Sequence, residues 1–363
     1  MLNNLNEKIR ASLVVGSYLD TLGFKNGQWE FNFYLSPDTL EKAFSIQNEI
    51  VHHFFSLGGY NINISDWNSS DDTIMMIATM KACKNKNNFM KAYLEILSQL
   101  KEDKRASGYT TIKSLSILEK NKDINQIKYE ESKGGNGAAM RTSPIGLVYY
   151  KEEDLNSLIK NSLEASIITH NYPLGYLGGV VTALFTSYAI RNIPPEEWSR
   201  KLIELYESNI IDDYLKSRPN YKDYLKDKNE FWDLWYKYNE HRLPNFSIKS
   251  DKFLFNSTRI KELLNYTPGV QLRKNKGKFD KFASTGVGAV IVSYDSLLMS
   301  IYYEDKKLKC NWESLVFFST LHFGDNDSTG IITGAWFGAL FGFTYFDKDK
   351  INQLEFKNEL LKL

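Results

Sequence analysis

Four aspartates, placed two by two at the entrances of two apolar segments, constrain this chain more than any other feature. Ser69-Ser70-Asp71-Asp72-Thr73 stands directly before an apolar run that starts near Ile74. Gly324-Asp325-Asn326-Asp327-Ser328-Thr329-Gly330 stands directly before the longest apolar run, residues 330–346. Serine and aspartate oxygens accept hydrogen bonds from the unpaired N–H groups of a first helical turn, so one acid per turn is explained as a cap. Two acids in each of two turns are explained less well. If the turns meet in space, four carboxylates crowd together and repel one another unless protons or cations neutralise them. Oxygen donors, with only His322 near them in sequence, suit hard cations: magnesium first, then manganese or calcium. The calcium-loop pattern D-x-D-x-D-G is not completed, which argues against an EF-hand. On residue types alone, capping and metal binding both stay open.

The rest of the chain reads as helix. Residues 9–22 are rich in apolar and small side chains, as a buried helix is. Residues 38–57 place Leu40, Ala43, Phe44, Ile50, Val51 and Phe54 at helical spacing, with Gln47 interrupting the stripe and Ile46 lying off it. Pro37-Asp38 marks its start. Further helices are expected over 72–82, 155–168, 178–190, 229–238, 289–303, 312–323 and 330–346. Pro194-Pro195-Glu196-Glu197 fits a helix N-terminus. Strand-like alternation is scarce, although the aromatic-rich stretches leave room for a short hairpin. The expected fold is all-α, a single-domain helical bundle over residues 1–363. Residues 242–288, with Pro244, Pro268 and several glycines, read as long loops over a site.

Composition narrows the function. A chain of 363 residues, 42% hydrophobic and 25% charged, has an ordinary globular balance. It is long enough to bury a core without disulfides or a structural metal. Lys plus Arg total 45 and Asp plus Glu 44, a formal charge of +1, so no global field draws it to nucleic acid or an anionic membrane. The basic run over 272–281 reads as a solvated loop. Cys83 and Cys310 form no zinc spacing and read as reduced thiols. Residues 1–10 are polar and lack the apolar core of a secretory signal. The run over 330–346 falls short of the roughly 20 residues a membrane span needs. A cytoplasmic monomer is expected, with neither nucleic acid nor membrane as partner.

Three smaller features could line a site. Gly134-Gly135-Asn136-Gly137-Ala138-Ala139-Met140-Arg141 allows positive φ and close backbone approach. Its N–H groups could form a nest for pyrophosphate, or it is a plain turn before a helix. No strand–helix–strand unit surrounds it, so it is not a dinucleotide fingerprint. His170-Asn171-Tyr172-Pro173 follows a helix; the histidine is structural or stacks on a nucleotide. Trp29-Glu30-Phe31 is an acid between aromatics, which by itself reads as a surface carboxylate.

Taken in chain order, these segments resemble the ADP-ribosylglycohydrolase family, and within it the ADP-ribosylarginine hydrolase branch. Leu19-Asp20-Thr21-Leu22-Gly23 resembles the family's G-D-A-L-G, with leucine for the first glycine, and Asn26-Gly27-Gln28-Trp29-Glu30-Phe31 resembles N-G-K-W-E-F. Ser70-Asp71-Asp72-Thr73 is similar to the first metal motif. Lys104-Arg105-Ala106-Ser107-Gly108 resembles G-R-A-P-G, and Gly135 to Arg141 resembles the glycine motif. His170, Pro173, Gly175, Tyr176, Leu177 and Gly178 match H-x-x-P-x-G-Y-L-G. Gly324 to Thr329 is similar to the second metal motif, G-D-S-D-S-T. One departure stands out: where the branch often carries G-H-D-A, this chain has Gly286-Val287-Gly288-Ala289, so a His and an Asp are absent near the expected substrate end.

The resemblance implies an all-α domain with two magnesium ions, or manganese in their place, in a central cleft. It implies that Ser70, Asp71, Asp72, Asp325, Asp327 and Ser328 hold the metals. Asp71, Asp72 and Asp327 are the implied catalytic acids, with Asp72 moving protons. Gly108, Gly135, Asn136 and Gly137 would cradle the pyrophosphate and nearby ribose, and His170 would contact the nucleotide side. Glu30 would help position the arginine guanidinium. The implied partners are an ADP-ribosylated protein and the ADP-ribose released from it. Two alternatives stand beside this reading: a non-catalytic ADP-ribose-binding relative, favoured by the Val287-Gly288 departure, and a hydrolase of serine-linked or ester-linked ADP-ribose.

Overall fold

The computed structural model of the chain describes residues 2–30, 37–245, 256–268 and 281–363. Phe31 and residues 272–280 of the basic run lie outside the described residues. Regular structure is helical apart from one two-stranded hairpin, so the all-α class expected from the sequence is the one observed.

Nine helices carry the architecture around the site: α1 (Leu2–Phe24), α2 (Leu40–Ser56), α3 (Asp71–Lys84), α4 (Tyr109–Asn121), α5 (Leu155–Ile167), α6 (Pro173–Ile190), α7 (Gly286–Ser300), α8 (Trp312–Thr320) and α9 (Asn326–Phe341). α1 and α9 run antiparallel and very close. Cβ atoms placed on Gly330, Gly334 and Gly338 would meet Leu19 O at 2.5 Å, Val15 O at 2.7 Å and Ala11 C at 2.4 Å. On α1, a Cβ at Gly23 would meet Asn326 O at 2.4 Å. Glycines spaced by four line one face of a helix, and their lack of side chains lets the backbones touch. This approach sets the C-terminal end of α1 beside the N-terminal end of α9.

The core is continuous across these helices and dense in aromatics. Phe185 of α6 has the rings of Trp198, Trp235, Tyr294 and Trp336 around it, with centroids 5.2 to 5.7 Å away. The buried Trp336 indole N–H donates to Thr182 O at 3.1 Å, which satisfies its one donor. By length and composition α6 could cross a membrane, yet all 18 of its residues are buried inside the protein.

Four local expectations need correction. On α2, Ile46 and Gln47 are buried, whereas Leu40, Phe44 and Val51 are only half-buried. The buried face is thus turned from the stripe read in the sequence, because the loop carrying Trp29 packs Trp29 against Phe54 and His53 on this helix. The helix expected over 289–303 stops at Ser300, and Ile301–Glu304 pairs antiparallel with Lys307–Cys310. Asp305 and Lys306 take φ of 50° and 60°, the paired positive values a tight hairpin turn demands. The run over 330–346 is helical only to Phe341, because Gly342 at φ 62° ends it.

The stretch 242–288 is not all loop. Asn256–Leu263 is a helix, and its Arg259 is buried with Nε donating to Asp295 at 2.6 Å. Arg242 Nε reaches the other Asp295 oxygen at 2.8 Å, and Tyr238 donates to it at 3.1 Å. Burial would push the Asp295 carboxyl up, but Arg242 and Arg259 hold it below the usual range. A buried charge is tolerated here because it is fully paired.

If the glycine stripe sets the α1–α9 distance, Gly338→Ala forces the helices apart. Its thermal unfolding should report a loss of about 1–3 kcal/mol despite the better helix propensity of alanine. An unchanged or raised midpoint would show that the helices part without cost.

Candidate active site

Three helix ends converge. Ser70 caps α3, accepting from the Asp72 N–H at 3.1 Å while its hydroxyl donates to Asp20 of α1 at 2.6 Å. Thr73 donates to the other Asp20 oxygen. Ser328, in the first turn of α9, donates to Asp72 at 2.8 Å. The two acidic turns therefore meet, and α1 contributes a fifth acid from beneath. Carboxylate oxygens of Asp20, Asp72 and Asp327 lie within 4.8 Å of one another, and so do those of Glu30, Asp325 and Asp327. Asp327 belongs to both groups. All of these acids, and Asp71 with them, are buried.

Crowding and burial raise their proton affinities. Burial, then the charge of Asp327, pushes Asp20 up to about 7, although Ser70 and Thr73 pull the other way. Burial, then Asp327 and Asp20, pushes Asp71 up to about 8 against a bond from the Gly108 N–H. Glu30 and Asp72 are raised well above the ordinary range by burial, then by Asp327, and Asp327 by burial, then by Asp325. The N-terminal ends of α3 and α9 favour negative charge, which offsets a part of this cost.

The donor set fits a hard divalent cation. It offers carboxylate and hydroxyl oxygens with no thiol or imidazole among the grouped donors. Asp325 accepts from Asn136 Nδ2 at 2.8 Å through one oxygen, and its other oxygen is buried without a partner. Such an atom is costly unless something binds it. Capping explains Ser70 and leaves Asp325 unexplained.

The acids form one end of a cleft of about 710 Å³, within the usual range of small-molecule sites. The glycine segment forms an adjoining wall. Gly135 pairs with Thr285, and Asn136 N donates to Ser284 O at 3.0 Å. Both Asn136 amide hydrogens are engaged, by Asp325 and by Ala283 O, so this side chain ties the glycine wall to the acidic end. A Cβ on Gly137 would strike His170 at 2.6 Å, so only glycine lets the loop lie on that ring. His170 bonds Thr169 at 2.8 Å, and burial, then Arg141 and Lys133, keeps it neutral. Arg141 is wholly buried beneath the loop, bonding Gly137 O, Ala165 O and Thr169, which leaves it structural. The Ser107 hydroxyl, on the cleft, is buried without a partner.

With this geometry established, comparison with known proteins gives one answer. The family model for ADP-ribosylglycohydrolase matches residues 1–363. The chain belongs to the ADP-ribosylglycohydrolase family. It is 35% identical to the ADP-ribosylhydrolase ARH1 of Dictyostelium discoideum, over 97% of this chain and 91% of that protein. It is 32% identical to a putative ADP-ribosyl glycohydrolase of Acanthamoeba polyphaga mimivirus, over 96% of this chain and 67% of the other. A solved structure described as an ADP-ribosylglycohydrolase-related protein complex superposes with a TM-score of 0.57 over 99% of this chain and 96% of its own, at 14% identity, and shows the shared fold. The chain is thus an ADP-ribosyl hydrolase of a metal-dependent family that releases ADP-ribose from ADP-ribosylated substrates.

Of the site residues read from the sequence, Glu30, Gly108, Gly135, Asn136, Gly137, His170, Asp71, Asp72, Asp325, Asp327 and Ser328 all line this one cleft. Ser70 sits beneath them, bonded to Asp20 and Asp72. Glu30 is not a surface carboxylate: Asn326 Nδ2 donates to Trp29 O at 2.9 Å and so turns the preceding residue's loop inward. Val287 is fully buried in the first turn of α7, and neither it nor Gly288 lines the cleft.

Two residues escaped the sequence reading. Asp20 sat in a recognised motif but was given no task. Glu355, near the C-terminus, pairs with Arg105 through both carboxylate oxygens at 2.8 Å. One of those oxygens also accepts the Ser69 N–H at 3.0 Å, and Arg105 donates to Ser69 O at 2.9 Å. The pair thus clamps the residue that leads into Ser70.

Removing that clamp should disturb metal binding more than folding. Glu355→Ala should weaken Mn2+ binding, followed by titration calorimetry, about 10- to 100-fold. A lowered melting point with unaltered affinity would reduce the clamp to scaffolding. The raised carboxyls give a second expectation. Their folded-state values exceed their unfolded ones, so without metal their contribution is stabilising at low pH and is lost as pH rises through about 7 to 8. Cation binding requires the charged forms, so the gain in melting temperature on adding Mg2+ should grow from about pH 6 to about pH 8. A gain that shrinks over that interval would refute the assignment.

Proposed function

We propose that this chain hydrolyses the N-glycosidic bond between ADP-ribose and protein arginine, and that it does so with two magnesium ions, for which manganese can substitute. The observation that carries this reading is the joining of a metal-type carboxylate cluster to a glycine-walled cleft of nucleotide size. The arginine linkage is supported by the resemblance of Asn26 to Glu30 and of His170 to Gly178 to that branch. The entry of Glu30 into the acidic cluster supports it further.

Asp71, Asp72, Asp325 and Asp327, with the Ser70 and Ser328 hydroxyls, would hold the ions, and Asp20 and Glu30 complete the carboxylate shell. When bound, the ions supply Lewis acidity toward the distal ribose hydroxyls and the attacking water. Gly108, Gly135, Asn136 and Gly137 line the wall that would take the pyrophosphate and ribose, and the lack of side chains at its glycines lets a phosphate come close to the backbone. Neutral His170, held by Thr169, presents its ring to the nucleotide side without adding charge. Asp72 is oriented by the Ser328 hydroxyl and takes a proton from the attacking water. The water oxygen bonds C1 as the C1–N bond breaks, and the proton taken by Asp72 is returned to the departing guanidine nitrogen. The clustered negative charge stabilises the oxocarbenium-like transition state. Both acidic turns are intact and meet in one cleft, which supports a catalytic reading over a non-catalytic relative.

The test supplies an ADP-ribosyl-arginine protein and an ADP-ribosyl-serine peptide, each with magnesium and with chelator, and counts free ADP-ribose. Magnesium-dependent release from arginine alone is expected, and Asp72→Asn and Asp327→Asn should each slow it about 100- to 10,000-fold. Release from serine alone would overturn the substrate. Binding of ADP-ribose with no release from either would overturn the reaction.

A further inference from the structure

His170 and His322 are both buried, but their ring nitrogens are used differently. In His322 both are engaged: Nδ1 accepts the Gly324 N–H at 3.1 Å, and Nε2 lies 2.9 Å from the Thr329 hydroxyl. In His170 only Nδ1 is engaged, 2.8 Å from the Thr169 hydroxyl, and Nε2 has no hydrogen-bond partner among the described residues. That free nitrogen lies against the glycine wall of the cleft. A Cβ on Gly135 would stand 3.4 Å from it, and one on Gly137 3.0 Å.

The hydrogen bonds behind the ring decide where its proton sits. Arg141 has only donors, and its Nη2 gives one to the Thr169 hydroxyl oxygen at 2.7 Å. Thr169 is buried, and its own hydroxyl hydrogen has one acceptor among the described residues, His170 Nδ1. Were Nδ1 protonated, that hydrogen would be buried without an acceptor, which is costly. Nδ1 therefore accepts. Burial, then Arg141, keeps the ring neutral, so its single proton is on Nε2.

We infer that Arg141 and Thr169 are positioning residues that hold His170 as an Nε2–H donor, and that this N–H bonds an oxygen of the substrate's diphosphate at the glycine wall. The inference rests on the reading of that wall given above. The opposite tautomer would turn a lone pair toward the diphosphate oxygen and repel it. A hydroxyl that donates to Nδ1 also strengthens the donor across the ring, because hydrogen bonds in a chain polarise one another. Arg141 thus acts on the diphosphate through two other side chains, from outside the cleft.

The test reads the His170 ring nitrogens by nitrogen NMR of the whole protein, with the signals identified by their loss in His170→Gln. The native ring should show a protonated Nε2 and an unprotonated Nδ1; a proton on Nδ1 overturns the inference. Bound ADP-ribose should shift the Nε2–H signal, and bound adenosine, which lacks the diphosphate, should not. A signal that stays in place with ADP-ribose, or moves equally with adenosine, overturns the bond to the diphosphate. Thr169→Val should move the nitrogen signals toward a mixture of tautomers and weaken ADP-ribose about two- to fivefold by calorimetry. Thr169→Ser keeps the hydroxyl and should restore both. A Thr169→Val ring identical to the native one removes Thr169 and Arg141 from this role, whatever its melting temperature. If the native protein does not bind ADP-ribose, the reading of the wall has failed and takes this inference with it; binding by a ring protonated on Nδ1 fails the inference alone.

Discussion

The contact of α1 with α9 along a line of glycines is the constraint on which the rest depends. With no side chains between them, the two backbones touch over four successive turns, from Gly338 opposite Ala11 to Asn326 opposite Gly23. That brings Asp20 of the first helix under Asp327 of the ninth, with about 300 residues of chain between them. A single methyl group on the line would lift one helix off the other and open the acidic end. The contact gains dispersion over a long stretch, yet its main consequence is positional.

What this closeness creates is a concentrated charge problem. Six buried carboxylates cannot all ionise within a few ångströms of one another, and burial and mutual repulsion raise their proton affinities together. Arg105 pairs with Glu355 and Ser69, and Arg141 bonds the glycine loop and Thr169, so the hydrogen bonds of neither go to the cluster. By contrast the equally buried Asp295 is matched by two arginines and a tyrosine. The difference separates a structural ion pair from a site that awaits a partner from solution, and the unpartnered oxygen of Asp325 marks where that partner is missed most.

Supports for the site come from distant parts of the chain. Asn326 uses its amide to hold Trp29 O and so draws Glu30 inward. Glu355 reaches back to Ser69 and steadies the turn before Ser70. Asn136 links the glycine wall to Asp325, so the two ends of the cleft are held in one network.

Much of this was legible in the sequence. The 3.6-residue spacing of apolar side chains marks most of the helices, because helical periodicity is local. The paired acids of Ser69–Thr73 and of Gly324–Gly330 stood out but left capping and metal binding open, and it was the order of the motifs that pointed to the family. Local pattern failed where a neighbour decided the outcome. α2 was turned by the packing of Trp29, and Ile301 to Tyr303 left the helical pattern because Asp305 and Lys306 could make a tight turn. Which acids share one site was decided by tertiary structure alone. Asp20 and Glu355 were given no task from the sequence, and Glu30 was placed only through the resemblance, since a carboxylate's task depends on what lies within a few ångströms of it. Here those neighbours lie dozens to hundreds of residues away and are brought together only when the glycine faces of α1 and α9 close.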